Sequence, residues 1–258
     1  MSQPRILILR APGTNCDVET KAAFELAGGQ ADRVHVNRLL ENPALIGDYQ
    51  ILCVAGGFSY GDDVAAGRIL ANQIRHHLAD VLQSFRDDGK LILGICNGFQ
   101  VLIKSGMLLA DADDGQAAAT LTWNDTGKFE DRWVQLAASG DKSVFLRDIE
   151  QMYLPIAHAE GKFVSHDDPT LDALRDSGQL VLSYRSQSGA DTAAYPDNPN
   201  GSQHDVAGVC DTTGRVLGMM PHPERYVDRT QHPRWTRGEA GEVGDGLKVF
   251  ENAVAYFA

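Results

Sequence analysis

The chain has 258 residues, with 23 Lys and Arg against 35 Asp and Glu, a net charge of −12 at pH 7. That balance repels phosphate backbones and argues against a nucleic-acid partner. The apolar run at 6–9 is too short for a signal-peptide core, no stretch of about 18 apolar residues could span a bilayer, and four cysteines occur without a C-x-x-C pair. A soluble cytoplasmic protein with reduced thiols and no membrane partner is expected.

In chain order, RILILR at 5–10 reads as a buried strand, followed by a turn and a helix capped by Thr14 or Asn15. A second apolar strand, YQILCVAGG at 49–57, ends in glycines. Asp62 and Asp63 favour a helix start, and Leu70, Ile74, Leu78, Val81 and Leu82 then recur at helical spacing until Gly89. The strand at 91–95 precedes a helix that buries Phe99, Leu102 and Ile103. The second half is richer in strand: WVQLA, YLPIAH, QLVLSYR, VAGVCD and VLGMMPH alternate with turns, and helix returns only at the end, with Leu247, Phe250, Val254 and Phe257 on one face. The pattern predicts one α/β domain over 1–258. Its first half is doubly wound and flavodoxin-like; its second half adds mixed or antiparallel strands.

The segment LILGICNGFQ at 91–100 sets Cys96 in G-x-C-x-G form between a strand and a helix. A turn this tight needs glycine at Gly94 and Gly98, where side chains would collide, and it presents the thiol at the strand's end. The helix beginning at Asn97 leaves its first N–H groups unpaired near the sulfur, where they favour a thiolate or an oxyanion. A cysteine packed in the core is the bland alternative. A base weighs against it: in MMPHPER at 219–225, Pro221 and Pro223 enforce an extended segment in which His222 and Glu224 share a face. An imidazole backed by a carboxylate, downstream of an elbow cysteine, reads as a Cys96, His222, Glu224 triad. Cys53 and Cys210 lie in apolar strands and read as core; Cys16 sits in a turn with little expectation of reactivity. No metal-ligand cluster stands out.

The elbow GICNGFQ and the PHPE segment resemble the class I glutamine amidotransferases, which release ammonia from glutamine through a γ-glutamyl thioester. The family's usual G-x-C-x-G-H-Q has Phe99 here in place of a histidine outside the triad, and Gln100 is kept. RAPGTNCD at 10–17, GGFSYGDDVAAGRILA at 56–71, FEDRW at 129–133, LPIAHAEGKF at 154–163 and NPNGS at 198–202 are similar, in order, to one branch of the family. Those members supply ammonia to an ATP-dependent synthetase subunit that converts formylglycinamide ribonucleotide to the formylglycinamidine in purine synthesis. The resemblance implies a synthetase partner that carries the ATP and Mg, in many bacteria a small bridging subunit, and no cofactor on this chain. No phosphate-binding G-x-x-x-x-G-K-[ST] is present, in keeping with ATP bound elsewhere.

In parallel sheets the site lies beyond the C-terminal strand ends, where Gly56, Gly57 and Cys96 all fall. The N–H groups of Gly57 and Asn97 are the candidate oxyanion hole, and the family places its donors at matching positions. The family's equivalent of Gln100 lies in the glutamine pocket, so Gln100 is expected to bind substrate. Asp62, Asp63 and Arg68 read as structural. His158 and Glu160 line either the site or the partner surface. The segments around 186–195 and 228–244 exceed the shorter family members, and the resemblance gives them no role. A glutamine-sensing module without catalysis would keep the pocket and lose the triad, and a cysteine-dependent stress protein or protease of related fold would keep the elbow without PHPE.

Overall fold

The computed structural model describes residues 3–112, 114–139 and 142–258. Its strands are β1 (Arg5–Arg10), β2 (Gln30–His35), β3 (Ile51–Val54), β4 (Leu91–Ile95), β5 (Ala119–Thr122), β6 (Glu130–Ala138), β7 (Gln151–His158), β8 (Lys162–Ser165), β9 (Leu180–Tyr184), β10 (Val206–Cys210) and β11 (Val216–Met219). The α-helices are α1 (Asp17–Leu26), α2 (Val36–Glu41), α3 (Arg68–His77), α4 (Ala79–Asp87), α5 (Asn97–Lys104), α6 (Asp168–Asp176) and α7 (Leu247–Ala255). Nine strands form one sheet in the order β2-β1-β3-β4-β11-β10-β9-β6-β7; β5 and β8 pair separately. The pairs from β2 to β11 are parallel, and those from β11 to β7 antiparallel.

Burial follows this division. Every residue of β3, β4, β10 and β11 is buried, so both faces of the sheet's middle are covered. α1 packs with α7, and α3 with α5; Phe24 of α1 meets Phe250 of α7 edge to face at 4.8 Å. β6, at the antiparallel end, alternates buried and partly exposed positions, the signature of a sheet with one wet face. Among the described residues, no helix is long and apolar enough to cross a membrane.

Several expectations need correction. β2, with the polar sequence QADRVH, lacks an apolar run; it is held as an edge strand by parallel pairing along all of β1. The 70–82 stretch is two helices, not one, because Leu78 leaves helical geometry at φ −125°. α3 begins at Arg68 after Gly67 in the left-handed region, so Asp62 and Asp63 do not start it. α6 lies amid the second-half strands; Asp167 caps it by accepting from Thr170 N–H at 2.8 Å, with Pro169 in its first turn. α1 is preceded by Cys16 rather than capped by Thr14 or Asn15, for Thr14 Oγ1 accepts instead from Ala11 N–H.

α5 lies unusually close to the sheet. A Cβ built on Gly98 would stand 1.9 Å from the Val54 carbonyl oxygen, and one on Gly94 would stand 2.7 Å from the Gly98 oxygen. Backbone cannot yield as a side-chain tip can. Gly98→Ala is therefore expected to destabilise the protein by about 1–3 kcal/mol or more through overpacking, read as a lowered midpoint in urea denaturation.

Candidate active site

Cys96 stands between β4 and α5 at φ 51° and ψ −106°, a backbone conformation costly for a residue with a side chain. Its N–H donates to the Met219 carbonyl at 2.8 Å, which ties the turn to the end of β11. Three residues beyond Met219 the chain reaches His222, whose N–H bonds the Pro155 carbonyl of β7 at 2.9 Å. The adjacency of β4 and β11 thus brings residues 96 and 222 together. The expected strand-like arrangement of His222 and Glu224 is corrected: Pro223 opens a 3-10 turn, Pro223–Arg225, and the turn brings the carboxylate back to the ring. His222 Nδ1 and Glu224 Oε1 lie 2.6 Å apart, with the residues only 2 % and 1 % exposed. Burial disfavours the imidazolium, but the Glu224 carboxylate and the Cys96 sulfur as thiolate outweigh it, and the pKa of His222 is raised well above its ordinary value. Nε2 of His222 and Oε2 of Glu224 are buried without a hydrogen-bond partner among the described residues. Such contacts commonly tighten only when substrate is bound.

The oxyanion candidates lie on two turns joined by a side-chain bond from Asn97 to Ser59. Gly57 has φ +136°, and a Cβ there would meet the Asn15 nitrogen at 2.6 Å, so only glycine fits. The flanking bonds run from Phe58 N–H to Gly13 O (3.0 Å) and from Cys16 N–H to Gly56 O (3.2 Å), leaving the Gly57 N–H outside this pairing. The Asn97 side chain fastens the opposite wall: its Oδ1 accepts from Ser59 N–H (3.2 Å), and its Nδ2 donates to Asp62 Oδ1 and Gln100 Oε1, both at 2.9 Å. Gln100 is 3 % exposed and also donates to the Glu160 carbonyl at 2.7 Å, so its amide is engaged at both ends in this closed arrangement.

His158 and Glu160 divide. His158 is buried near His222, and burial, with the neighbouring imidazole, lowers its pKa to about 3, so it stays neutral. Its Nδ1 lies 3.2 Å from Asn124 Oδ1, which also accepts from Gly161 N–H. Glu160 accepts from Ala66 N–H, pairs with Lys104 at 3.7 Å and edges a cavity of about 450 Å³ that Arg68, Arg75 and Trp123 also line.

Three features were not legible in the sequence. Cys16 is almost wholly buried, and its sulfur, a ring nitrogen of His222 and a carboxylate oxygen of Glu224 lie within 4.8 Å of one another. These are donor types that can hold a metal, contrary to the expectation that none would cluster; the 2.6 Å His222–Glu224 bond already occupies one side of the set. Arg225 donates to the Cys16 sulfur at 3.2 Å and to Glu19 at 2.8 Å. Finally, 228–244 is anchored by His232, whose ring packs among Trp133, Tyr153 and Tyr226 at 5.6–5.7 Å. Tyr226 follows the turn carrying Glu224, and past the segment Gly246 N–H bonds Tyr226 O at 2.8 Å. The 186–195 segment is tethered by Gln187 to Asp197 and by Ala193 N–H to Asp205.

A doubly wound sheet with a strained cysteine elbow facing a His-Glu pair defines a glutamine amidotransferase, and the chain belongs to that family: residues 3–257 match the CobB/CobQ-like glutamine amidotransferase domain. It is 47% identical over 257 residues to phosphoribosylformylglycinamidine synthase subunit PurQ of Dehalococcoides mccartyi, covering 99% of this chain and 98% of that protein. Identity to PurQ of Methanococcus maripaludis is 41%, over 98% and 97% of the two chains. A chain in the solved structure of PurLQS from Thermotoga maritima aligns over 100% of both chains, with 32% identity and a TM-score of 0.75. The glutaminase domain of Trypanosoma brucei CTPS, at 13% identity, a TM-score of 0.57 and coverage of 98% and 94%, shares the fold.

Asp62 supplies a test of the wall opposite the thiol. Burial, with Glu160 adding repulsion, raises its pKa from 3.8 to about 6 against the hydrogen bonds it accepts. The folded protein thus holds this proton more tightly than the unfolded chain. The associated stability is present below about pH 4 and lost as pH rises through 6. Asp62→Asn should therefore stabilise the protein at pH 8 relative to wild type by about 1 kcal/mol, allowing for partial exposure, and the gain should vanish near pH 4. Urea melts of both proteins across pH 4–8 measure the difference.

Proposed function

We propose that this chain is the glutaminase subunit of phosphoribosylformylglycinamidine synthase. It hydrolyses glutamine and passes the ammonia to a synthetase subunit that converts formylglycinamide ribonucleotide to the formylglycinamidine in purine biosynthesis. The observation that carries the chemistry is the elbow thiol of Cys96 beside the buried 2.6 Å His222–Glu224 pair. The full-length similarity to PurQ proteins supports the choice of acceptor.

In this reading His222 holds, as imidazolium, the proton drawn from Cys96, and the thiolate attacks the side-chain amide carbon of glutamine. The tetrahedral oxyanion is received by the N–H groups of Gly57 and Asn97. Glu224 holds the ring's tautomer and stabilises the imidazolium, which donates its proton to the leaving nitrogen. Ammonia departs, water enters, and His222 serves as base again while the thioester is hydrolysed to glutamate. Gln100, four residues after the nucleophile, binds the substrate, exchanging a present contact for one to glutamine. The chemistry calls for no metal or cofactor on this chain; ATP and Mg²⁺ belong to the synthetase. A small bridging subunit is a further partner in this reading, and the cytoplasm is where the reaction takes place.

The residues 96, 222 and 224 are nearly sealed from solvent, Cys96 being 4 % exposed. Glutamine entry therefore requires a wall to move, and the wall formed by 57–62 is the one that carries the oxyanion donor. Docking of the synthetase against it would couple hydrolysis to a waiting acceptor.

In the complex with its synthetase, Cys96→Ala should abolish glutamine-dependent synthesis while leaving synthesis from formylglycinamide ribonucleotide, ATP and a high concentration of ammonium salt. Absence of ammonium rescue in a complex that still assembles by pull-down would sink the ammonia-transfer reading. His222→Ala should lose about 10³-fold or more in glutamine hydrolysis, and Glu224→Gln should lose less, because the amide still orients the ring without stabilising its charge. Undiminished glutamate release by both variants would remove these residues from the reaction.

A further inference from the structure

Two thiols, not one, flank the imidazole of His222, and they are built differently. Cys96 is held on the strained elbow. Cys16 has ordinary backbone angles, φ −98° and ψ 7°, and precedes a helix whose first turn carries Asp17 and Glu19. Burial, with the Glu224 carboxylate adding to it, raises the pKa of Cys16 against the pull of His222 and Arg225. Cys16 is thus suited to remain a neutral thiol while Cys96 attacks.

The contacts of Cys16 say what a neutral thiol does there. The thiol donates to Asn15 Oδ1 at 3.3 Å, while the backbone N–H of residue 16, whatever its side chain, donates to the Gly56 carbonyl at 3.2 Å. A Cβ placed on Gly56 would meet His222 Cε1 at 3.0 Å and Cys16 Sγ at 3.1 Å, so sulfur and ring edge rest against the same stretch of backbone. Arg225, directly after Glu224, donates to the sulfur at 3.2 Å and to Glu19 at 2.8 Å. The sulfur therefore rests against Gly56 of the oxyanion turn beside the ring of His222 and is held from behind by Arg225, the residue after the carboxylate. Meanwhile Nε2 of His222 is buried without a hydrogen bond among the described residues, so no bond at that end of the ring fixes its aim.

We propose that Cys16 is a positioning residue for the glutaminase reaction, holding the imidazole of His222 and the oxyanion turn at Gly56 and Gly57 in one fixed relation. The inference rests on the glutaminase reading above. Small displacements of a base from its working position cost rate far more than binding, so the effect belongs in kcat. Groups facing the ring are Glu224 on its own turn, Cys96 on the elbow, Cys16 before α1 and His158 on β7, with Arg225 behind the sulfur. Removing the sulfur changes one of these and leaves the others.

The test uses the assembled complex with its synthetase, comparing wild type, Cys96→Ala, Cys16→Ala, Cys16→Ser and Cys16→Val. Glutamine hydrolysis by wild type and its loss in Cys96→Ala establish the underlying reading; an inactive wild type ends that reading and this inference together. Given that reading, Cys16→Ala should lower kcat about ten-fold, leave KM for glutamine within about two-fold and shift the acid limb of the kcat profile. Cys16→Ser, which keeps an acceptor for Arg225, should recover to within about three-fold of wild type. Ammonium-supported synthesis should be unchanged in both. Wild-type kcat and pH profile in Cys16→Ala would overturn the proposal, as would equal losses in the Ala and Ser variants that simply track a lowered melting temperature. Should Cys16→Ala fail to fold, Cys16→Val, of similar volume but unable to accept from Arg225, decides: an unimpaired kcat overturns positioning, and a reduced kcat that Ser restores supports it.

Discussion

The approach of α5 to β3 is the constraint on which the site depends. With Gly98 laid against the Val54 carbonyl, the helix start has no freedom to recede, and Cys96 must turn through a left-handed conformation to connect strand and helix. Strain of this kind persists only where packing over-determines it. Here Phe99, buried against Gly218 of β11, and Gly94, closed over by Leu102, fix the helix on its sheet side. The same placement directs the helix's first N–H groups past the sulfur. A single steric fit between glycines and backbone therefore sets both the position of the Cys96 thiol at the strand's end and the direction of the helix dipole beside it.

Around this centre, charge is handled by sequestration. His222 and Glu224 are buried as a bonded pair, whose members would each be costly alone. His158, the nearest other imidazole, is held neutral, which avoids a second positive charge in the same low-dielectric space. The network from Ser59 through Asn97 and Gln100 to the Glu160 carbonyl consists of neutral donors and acceptors around the titratable Asp62. The wall opposite the thiol is accordingly rigid in its bonding yet sensitive to the proton on one carboxyl.

Much of this was readable from the amino acids because it rests on local rules. RILILR and the 91–95 segment are strands within the residue, since continuous apolar runs bounded by turn residues have few other solutions. The elbow and PHPE declared their own geometry through glycine and proline. What escaped was relational. β2 is polar because it is an edge, and only pairing with β1 makes it a strand. α6 is nine residues with two buried leucines, too weak a stripe to compete with the surrounding strand pattern. Cys16 looked inert because nothing near it in the chain is reactive; its neighbours at 222–225 are some two hundred residues away. The aromatic clamp on His232 is equally invisible to any window of sequence, since its rings come from β6, β7 and two separate loops.

The place of β11 has a consequence for how the protein comes into being. The last strand to leave the ribosome sits in the centre of the nine-stranded sheet, parallel to β4 on one side and antiparallel to β10 on the other. A growing chain can pair β1, β2, β3 and β4, but its two sheet halves stay unjoined until β11 arrives, and pairings so distant in sequence are slow to close. Because His222 and Glu224 follow β11 directly, Cys96 meets them only in the step that unites the halves. Unfinished chains thus carry the strained thiol without the imidazole and carboxylate beside it.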